Sequence, residues 1–417
     1  MERDQVDPEV ERRGGATPPP KLRFDYGGEK VRGVSLGGWL VVEDFITPNV
    51  YSSTGNSRII DEWTFGSLQS KSKATSILQK HLDGFVGEED FERMASLGLN
   101  HVRIPIGYWA FEVGEGEPFL KLNQWNLLKK AAGWAGKNGL KVLVDLHAVP
   151  GSANGFDHGG RKGHNEWASK RSYVERTLAI LRTMSNEFSK PEYSNSVSAI
   201  ELVNEPVTDS KVVLDFYKRG YGVVRNSSSP SPLLVVIGDE FKSPALTDYW
   251  RKRLTPPEYQ GLAIDSHVYT IFDDDSIRLS PSDRVSHYCS LLPELSRANS
   301  DHWQLIGEWS PSPTDCAQGL NGRGKGSRYQ GDLPGSRGKV GECSSKTGDA
   351  SHFSKGYKRL LATLWQAQVE SYEGGMGWIM WTWKTQSGKA EEWSYLKGVE
   401  HGWIPEDPTS RPQGVIC

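Results

Sequence analysis

The sequence predicts an α/β fold, a single (β/α)8 barrel in which eight parallel strands alternate with helices. Three observations support this fold. The chain contains eight short apolar runs, and amphipathic segments with apolar residues spaced three and four apart lie between many of them. Polar and aromatic residues also follow most of the runs directly. Strand and helix in such repeated alternation are typical of a barrel rather than of an open sheet.

The predicted strands are short and mostly aliphatic, as expected for strands that are covered on both faces. They cover residues 31–36, 101–104, 142–146, 199–203, 233–237, 262–265, 304–306 and 377–380. The clearest helices are predicted at 87–97, 124–139, 173–188, 211–224 and 352–368. The chain of 417 residues could hold two or three average domains, but one barrel with long loops also fits this length.

The first 22 residues differ from the rest of the chain. They are polar, carry several charges and include Pro18, Pro19 and Pro20, which predicts a disordered N-terminal segment before one domain at 23–417. This segment lacks the apolar stretch of a secretory signal peptide, and no later window of eighteen apolar residues predicts a membrane span.

Charge and composition narrow the class of partner. The 49 basic and 52 acidic residues give a formal charge of −3 with no long basic run, so no nucleic-acid partner is expected. The segment GVSLGG at 33–38 lacks the spacing of a dinucleotide-binding loop, and no cofactor is predicted. The 15 Trp and 15 Tyr suit platforms for sugar rings, although Trp is also common in ordinary cores.

Two predicted strands end in a glutamate. The fourth ends at Asn204 and Glu205, where Pro206 stops the hydrogen-bond ladder, and the seventh ends at Glu308. Each acid alone could be structural, but most of the other strands also run into residues suited to a polar site. Those residues are Glu43, Arg103, His147, His267, Tyr269 and Trp381.

Two facing glutamates suit the hydrolysis of a glycosidic bond. A separation of about 5 Å would give retention of configuration, whereas about 6.5 to 9.5 Å would give inversion. Asn204 could bind the 2-hydroxyl of the sugar. Arg103 and Tyr269 are expected to hold Glu308 ionised, while Glu205 keeps its proton in a less charged setting. Neither a catalytic metal site nor the Gly-x-Ser-x-Gly motif of serine hydrolases is found in the sequence.

The four cysteines, at 289, 316, 343 and 417, contain no Cys-x-x-Cys pair, which argues against a zinc site. The four cysteines could form two disulfides in three different pairings, or all four could be buried free thiols of a cytosolic enzyme. One glycosylation sequon at 226–228 agrees with secretion, although such tripeptides are frequent by chance.

Several motifs together resemble the exo-β-1,3-glucanases of fungi in glycoside hydrolase family 5, from about Phe24 to Cys417. These motifs are RGVSLGGWL (32–40), NHVRIPIGYW (100–109), DLH (145–147) with PGS (150–152), LVNEP (202–206), GEWS (307–310) and WTWKT (381–385). The resemblance implies a barrel enzyme without cofactor or metal that releases glucose from non-reducing ends with retention. It also implies disulfides Cys289–Cys417 and Cys316–Cys343.

The resemblance further assigns roles to single residues. It implies Glu205 as acid/base and Glu308 as nucleophile. Contacts to the first sugar are implied for Glu43, Arg103, His147, Asn204, His267, Tyr269 and Trp381, and an aromatic clamp for the next sugar is implied at Phe156 and Phe272. The chain departs from the family at Phe45, where relatives often carry Tyr, so the specificity of the first sugar site is open.

Three functions are therefore weighed. The first is a monomeric exo-β-1,3-glucanase, secreted or in the cell wall, acting on β-glucan or another β-glucoside. The second is a β-glucosidase or rutinosidase-like diglycosidase acting on aryl or flavonoid glycosides. The third, a carbohydrate-binding protein on an inactive barrel, is disfavoured because both glutamates and their expected partners are present.

Overall fold

The computed structural model describes residues 20–228 and 231–417. The predicted barrel is confirmed, because eight parallel strands close in the order β1 to β8. The strands are β1 (Val31–Ser35), β2 (His101–Gly107), β3 (Lys141–Ala148), β4 (Val197–Glu201), β5 (Leu234–Gly238), β6 (Leu262–Val268), β7 (Trp303–Trp309) and β8 (Gly377–Met380). Most of the predicted disordered segment, residues 1–19, lies outside the described residues, and the boundary at residue 22 stays a prediction.

Ten α-helices occur in the described residues, and most of them cover the outer face of the barrel. They are α1 (Pro48–Ser52), α2 (Glu62–Ser67), α3 (Lys71–Gly84), α4 (Glu88–Ser96), α5 (Gln124–Lys137), α6 (Arg171–Phe188), α7 (Ser210–Arg225), α8 (Pro281–Ala298), α9 (Lys355–Tyr372) and α10 (Tyr395–Glu400). The five predicted helices correspond to α4, α5, α6, α7 and α9. Side chains cap several of them; the Ser354 hydroxyl, for example, accepts from the backbone N–H of Tyr357 in α9.

The prediction of a helix after every strand is wrong for the unit that follows β5, because residues 239–261 contain no helix. Pro244, Pro256 and Pro257 interrupt this segment, and proline cannot continue the helical hydrogen-bond pattern. Trp250 is fully buried there, and its indole N–H donates to the carbonyl of Asp239 at 3.1 Å. Irregular chain with a buried aromatic therefore replaces a helix after β5.

Both disulfides implied by the family resemblance are confirmed. Cys289 on α8 joins Cys417, and Cys316 joins Cys343 across the long connection between β7 and α9. No helix within the described ranges is both long enough and apolar enough to cross a bilayer.

Candidate active site

The two glutamates meet at the carboxyl end of the barrel. Glu308 lies in β7, whereas Glu205 lies beyond β4, which ends at Glu201 rather than at residue 203 as predicted. A carboxylate oxygen of Glu205 lies within 4.8 Å of one of Glu308. The backbone of Glu205 has φ +43°, a left-handed conformation that costs a residue with a side chain about 1–2 kcal/mol. Strain of this kind persists where surrounding contacts enforce it, often at functional sites.

A fully buried arginine on β2 organises the floor of the site. Nη1 of Arg103 donates to Glu308 Oε1 at 2.6 Å, and Nη2 donates to Asn204 Oδ1 at 2.7 Å. The same guanidinium donates through Nε to Glu201 at 2.9 Å and lies 3.1 Å from Asp145. Because guanidinium donors form a rigid planar fork, Arg103 fixes Glu308 and Asn204 relative to each other.

Asn204 keeps a donor available for a ligand. Its Oδ1 accepts from Arg103, while its buried Nδ2 has no hydrogen-bond partner among the described residues. Buried donors are almost always paired in folded proteins, so an unpaired one at a site points to a bound molecule. This geometry suits the predicted contact to a sugar hydroxyl.

His267 lies near the end of β6 and Tyr269 directly follows this strand, and both contact the acids. The Tyr269 hydroxyl donates to Glu308 Oε2 at 3.2 Å, so both oxygens of Glu308 accept hydrogen bonds, as expected from the sequence. His267 Nδ1 lies 2.7 Å from Glu205 and 3.5 Å from Glu308, and its Nε2 lies 3.6 Å from Asp265. This imidazole therefore bridges the two acids and a third carboxylate.

The electrostatic setting of Glu205 differs from the prediction. Burial would raise the pKa of Glu205, but the charge and hydrogen bond of His267, together with His158 and His147, lower it to about 2. The pKa of His267 is raised well above its usual range; burial opposes this, and Glu308, Asp265 and Glu205 outweigh it. The expectation of a less charged setting for Glu205 is wrong, because the imidazoles of His267 and His158 lie 2.7 Å and 3.5 Å from its carboxylate and favour the ionised form.

Glu43 adds a third carboxyl group to the cavity. Burial, followed by the charges of Glu308, Asp157 and Glu205, raises the pKa of Glu43 well above its usual range. Glu43 therefore stays protonated to higher pH than an ordinary glutamate and can donate as well as accept a hydrogen bond.

The acids lie in a cavity of about 400 Å³ with aromatic walls. Trp381 stacks on His147 with ring centroids 5.7 Å apart, and Tyr269 packs edge-on against Phe272. Phe156 and Phe272 line the cavity and remain 40 % and 41 % exposed. The cavity thus combines polar groups with apolar ring faces, as sugar sites do.

All predicted site residues therefore come together. Glu43, His147, Phe156, Phe272 and Trp381 line the cavity with Glu205, Tyr269 and Glu308. Arg103 and His267 contact the acids, and Asn204 accepts a hydrogen bond from Arg103. Phe45 also lines the cavity and packs 5.3 Å from Trp393, so the position that departs from the family faces the site without a hydroxyl.

Sequence reasoning did not single out three further site residues, Glu201, Asp265 and His158. Glu201 and Asp265 interrupt apolar runs of the sequence, and a buried charge at such a position requires a partner; this signal could have identified both. His158 follows Phe156 in a loop, where no periodic pattern marks it.

Two groups of side chains in the described structure approach the spacing of metal ligands. They are Glu201 with Asp265 and His267, and Glu205 with His267 and Glu308. Arg103 already donates to Glu201 and Glu308, and its positive charge would oppose a divalent cation beside them. These carboxylates are therefore better matched by the guanidinium of Arg103 than by a bound metal ion.

Comparisons with known proteins agree with this geometry. The family model for cellulase, glycosyl hydrolase family 5, matches residues 70–310. A glucan 1,3-β-glucosidase of Blumeria graminis is 38 % identical over 95 % of this chain and 92 % of its own length. A probable glucan 1,3-β-glucosidase A of Aspergillus niger is 38 % identical over 99 % of this chain and 95 % of its own.

Solved structures show the same fold. The crystal structure of a rutinosidase from Aspergillus niger has a TM-score of 0.69 and 20 % identity, and the match covers 91 % of this chain and 99 % of that one. A barrel with two acids at its carboxyl end, found in a chain with these relatives, defines a glycoside hydrolase. The chain belongs to glycoside hydrolase family 5.

Proposed function

We propose that this protein is a retaining exo-β-1,3-glucanase that releases glucose from the non-reducing ends of β-1,3-glucans. The observation that carries retention is that one carboxylate oxygen of Glu205 lies within 4.8 Å of one of Glu308, since retaining enzymes keep the two carboxyl groups only about 5 to 5.5 Å apart. The names of the relatives, glucan 1,3-β-glucosidases, support glucan as the substrate.

The shape of the cavity supports attack at a chain end. Residues at the ends of seven of the eight strands, or in the connections that follow them, line the cavity, and only β2 contributes none. The cavity is therefore enclosed on most sides. A chain with sugars on both sides of the scissile bond needs an open groove, whereas a walled cavity favours one terminal sugar.

The proposed reaction proceeds in two displacements. The carboxylate of Glu308 attacks the anomeric carbon and forms a glycosyl ester, while Glu205 gives its proton to the departing glycosidic oxygen. Water then attacks the same carbon, Glu205 takes the proton from this water, and the ester bond to Glu308 breaks. Arg103 and Tyr269 hold Glu308 in position, and His267 supplies the proton that Glu205 needs at the start.

Glu308→Gln tests the nucleophile. The amide keeps the shape of the site but cannot form the glycosyl ester, so laminarin should still bind while hydrolysis falls by several orders of magnitude. Binding is measured by calorimetry and hydrolysis by glucose release. Substantial residual hydrolysis would contradict the assignment.

Product analysis tests the substrate. Wild-type protein is incubated in parallel with laminarin, pustulan, a cello-oligosaccharide and rutin, and the first anomer formed is read by proton NMR. Glucose from laminarin, released first as the β-anomer, is expected. An intact disaccharide from rutin without glucose from laminarin would instead indicate a diglycosidase, and initial α-glucose would rule out retention.

We also propose that the protein acts outside the cell. Both cysteine pairs are oxidised, which suits an extracellular compartment, and Asn226 of the sequon is exposed where α7 ends. The protein should be recovered from the culture medium, and thiol titration after denaturation should find no free thiol; recovery only from the cytosol, with four free thiols, would contradict this localisation.

A further inference from the structure

Each carboxylate oxygen of Glu205 faces a different imidazole. Oε1 lies 2.7 Å from Nδ1 of His267, and Oε2 lies 3.5 Å from Nε2 of His158. The proposed mechanism gives no role to His158, although this residue also lines the cavity. The second oxygen of the acid/base therefore has a neighbour of its own.

The loop that carries His158 is held in a defined shape. The side chain of Asn154 accepts from the backbone N–H of Phe156 at 3.0 Å, and the N–H of Lys162 donates to Asp61 at 2.8 Å. These bonds fix the loop within itself and to the start of α2. The position of His158 beside Glu205 is thus enforced by the fold.

The surroundings of the ring define its protonation. His158 packs 5.1 Å from His147 and 5.4 Å from Phe156, and its buried Nδ1 has no partner among the described residues. Burial lowers the pKa of His158, opposed by the charge of Glu205; His147 lowers it further, and Asp157 and Glu308 raise it. A neutral imidazole that faces a carboxylate through Nε2 carries its proton there.

We propose that His158 is a positioning residue for Glu205, whose Nε2–H orients Oε2 and stabilises the negative charge that develops as Glu205 donates its proton. This inference rests on the proposed acid/base role of Glu205. A separation of 3.5 Å is long for a hydrogen bond, but catalytic hydrogen bonds are often long without ligand and shorten in the complex.

The two steps of the reaction should respond differently to the loss of this contact. In the first step Glu205 becomes negative, so a nearby N–H donor lowers the barrier. In the second step Glu205 accepts a proton, so the same donor gives no assistance. Only substrates whose leaving group needs protonation should therefore depend on His158.

The test uses His158→Phe, which keeps a planar ring without a donor, and His158→Gln, whose amide can donate near the position of Nε2. Both are assayed with aryl β-glucosides of graded leaving-group acidity. His158→Phe should lose roughly 10-fold in kcat/KM for poor leaving groups, as for one hydrogen bond to a charged group, and little for activated ones. His158→Gln should recover most of this loss.

The pH profile gives a second readout. The charged and titratable groups around Glu205 are His267, His147, Glu308, Glu43, Tyr269 and the imidazole of His158 itself. A donor favours the ionised carboxylate, so its removal should move the basic limb of kcat/KM to higher pH by roughly half a unit to one unit. A purely structural role would not move this limb.

His164→Gln on the same loop is the matched control, because its side chain is 40 % exposed and lies 3.8 Å from Glu166, away from Glu205. It should leave both readouts unchanged. Equal loss across all leaving groups, or no loss in His158→Phe, would overturn the inference. If wild-type protein cleaves aryl glucosides but not laminarin, the glucan proposal fails while the test of His158 stands.

Discussion

The two disulfides should separate stability from substrate binding. Cys316–Cys343 closes a connection whose Leu320, Asn321 and Arg328 line the cavity. Cys289–Cys417 lies outside the barrel, where residue 417 packs near α8 and α9. Replacing each pair by serines removes a crosslink in both cases, but only the first crosslink supports a wall of the site.

Loop-closure entropy gives the expected loss in the free energy of unfolding for each variant. The sequence separation of 27 residues for Cys316–Cys343 corresponds to a loss of about 3.5 kcal/mol in the free energy of unfolding. The separation of 128 residues for Cys289–Cys417 corresponds to about 5 kcal/mol. The larger loss of stability is thus expected for the variant without Cys289–Cys417, whose residues do not line the cavity.

The change in laminarin binding should follow the opposite order and be larger for the variant without Cys316–Cys343. The Cys316/Cys343 double serine variant should raise KM for laminarin roughly threefold, equivalent to less than 1 kcal/mol. The effect is modest because Asp315 still accepts from the backbone N–H groups of Arg328 and Tyr329. The other variant should keep the wild-type KM.

Urea unfolding and laminarin kinetics on both variants, each with wild-type protein in parallel, measure the two quantities. The reasoning would be refuted if the Cys289/Cys417 variant showed the larger change in KM. It would also be refuted if the variant with the shorter loop lost more stability.

Three further predictions follow from the same structure. Glu205→Ala should turn over an activated aryl glucoside far faster than laminarin, with the rate restored by azide as glucosyl azide; no response to azide would count against Glu205 as acid/base. Asn204→Ala should lose roughly 10²-fold in kcat/KM on a glucoside but little on its 2-deoxy analogue, since the contact to the 2-hydroxyl strengthens in the transition state; equal losses would exclude that contact. Burial raises the pKa of Glu62 to about 8, so the folded state holds an extra proton between about pH 4.5 and 8 and stability falls as pH rises through that window. Glu62→Gln should therefore gain stability over wild type from about pH 5 to about pH 9 in urea unfolding, and a pH-independent difference would disprove this.

Much of the architecture could be predicted because it depends on local periodicity. Eight apolar runs were sufficient for the barrel, and their ends identified the acids, because parallel strands of a barrel deliver their carboxyl ends to one face. The segment after β5 was predicted less well, since its cover comes from Trp250 in irregular chain and not from a helix.

The electrostatics of the site could not be predicted in the same way. The protonation of Glu205 depends on His267 and His158, which lie 62 and 47 positions away in the sequence. Arg103 likewise contacts Glu201 and Glu308 on two other strands. Contacts of this kind are set by the closure of the barrel, and no local pattern encodes them.

The barrel, the family and the two glutamates that meet at its carboxyl end were predictable from the chain, because strand periodicity and motif spacing are local properties. The strained backbone of Glu205, the unpaired donor of Asn204 and the imidazoles beside Glu205 appear only in the folded protein. The physical reason is that pKa values and free donors depend on distances of a few ångströms between residues far apart in sequence, which exist only after the eight strands have closed.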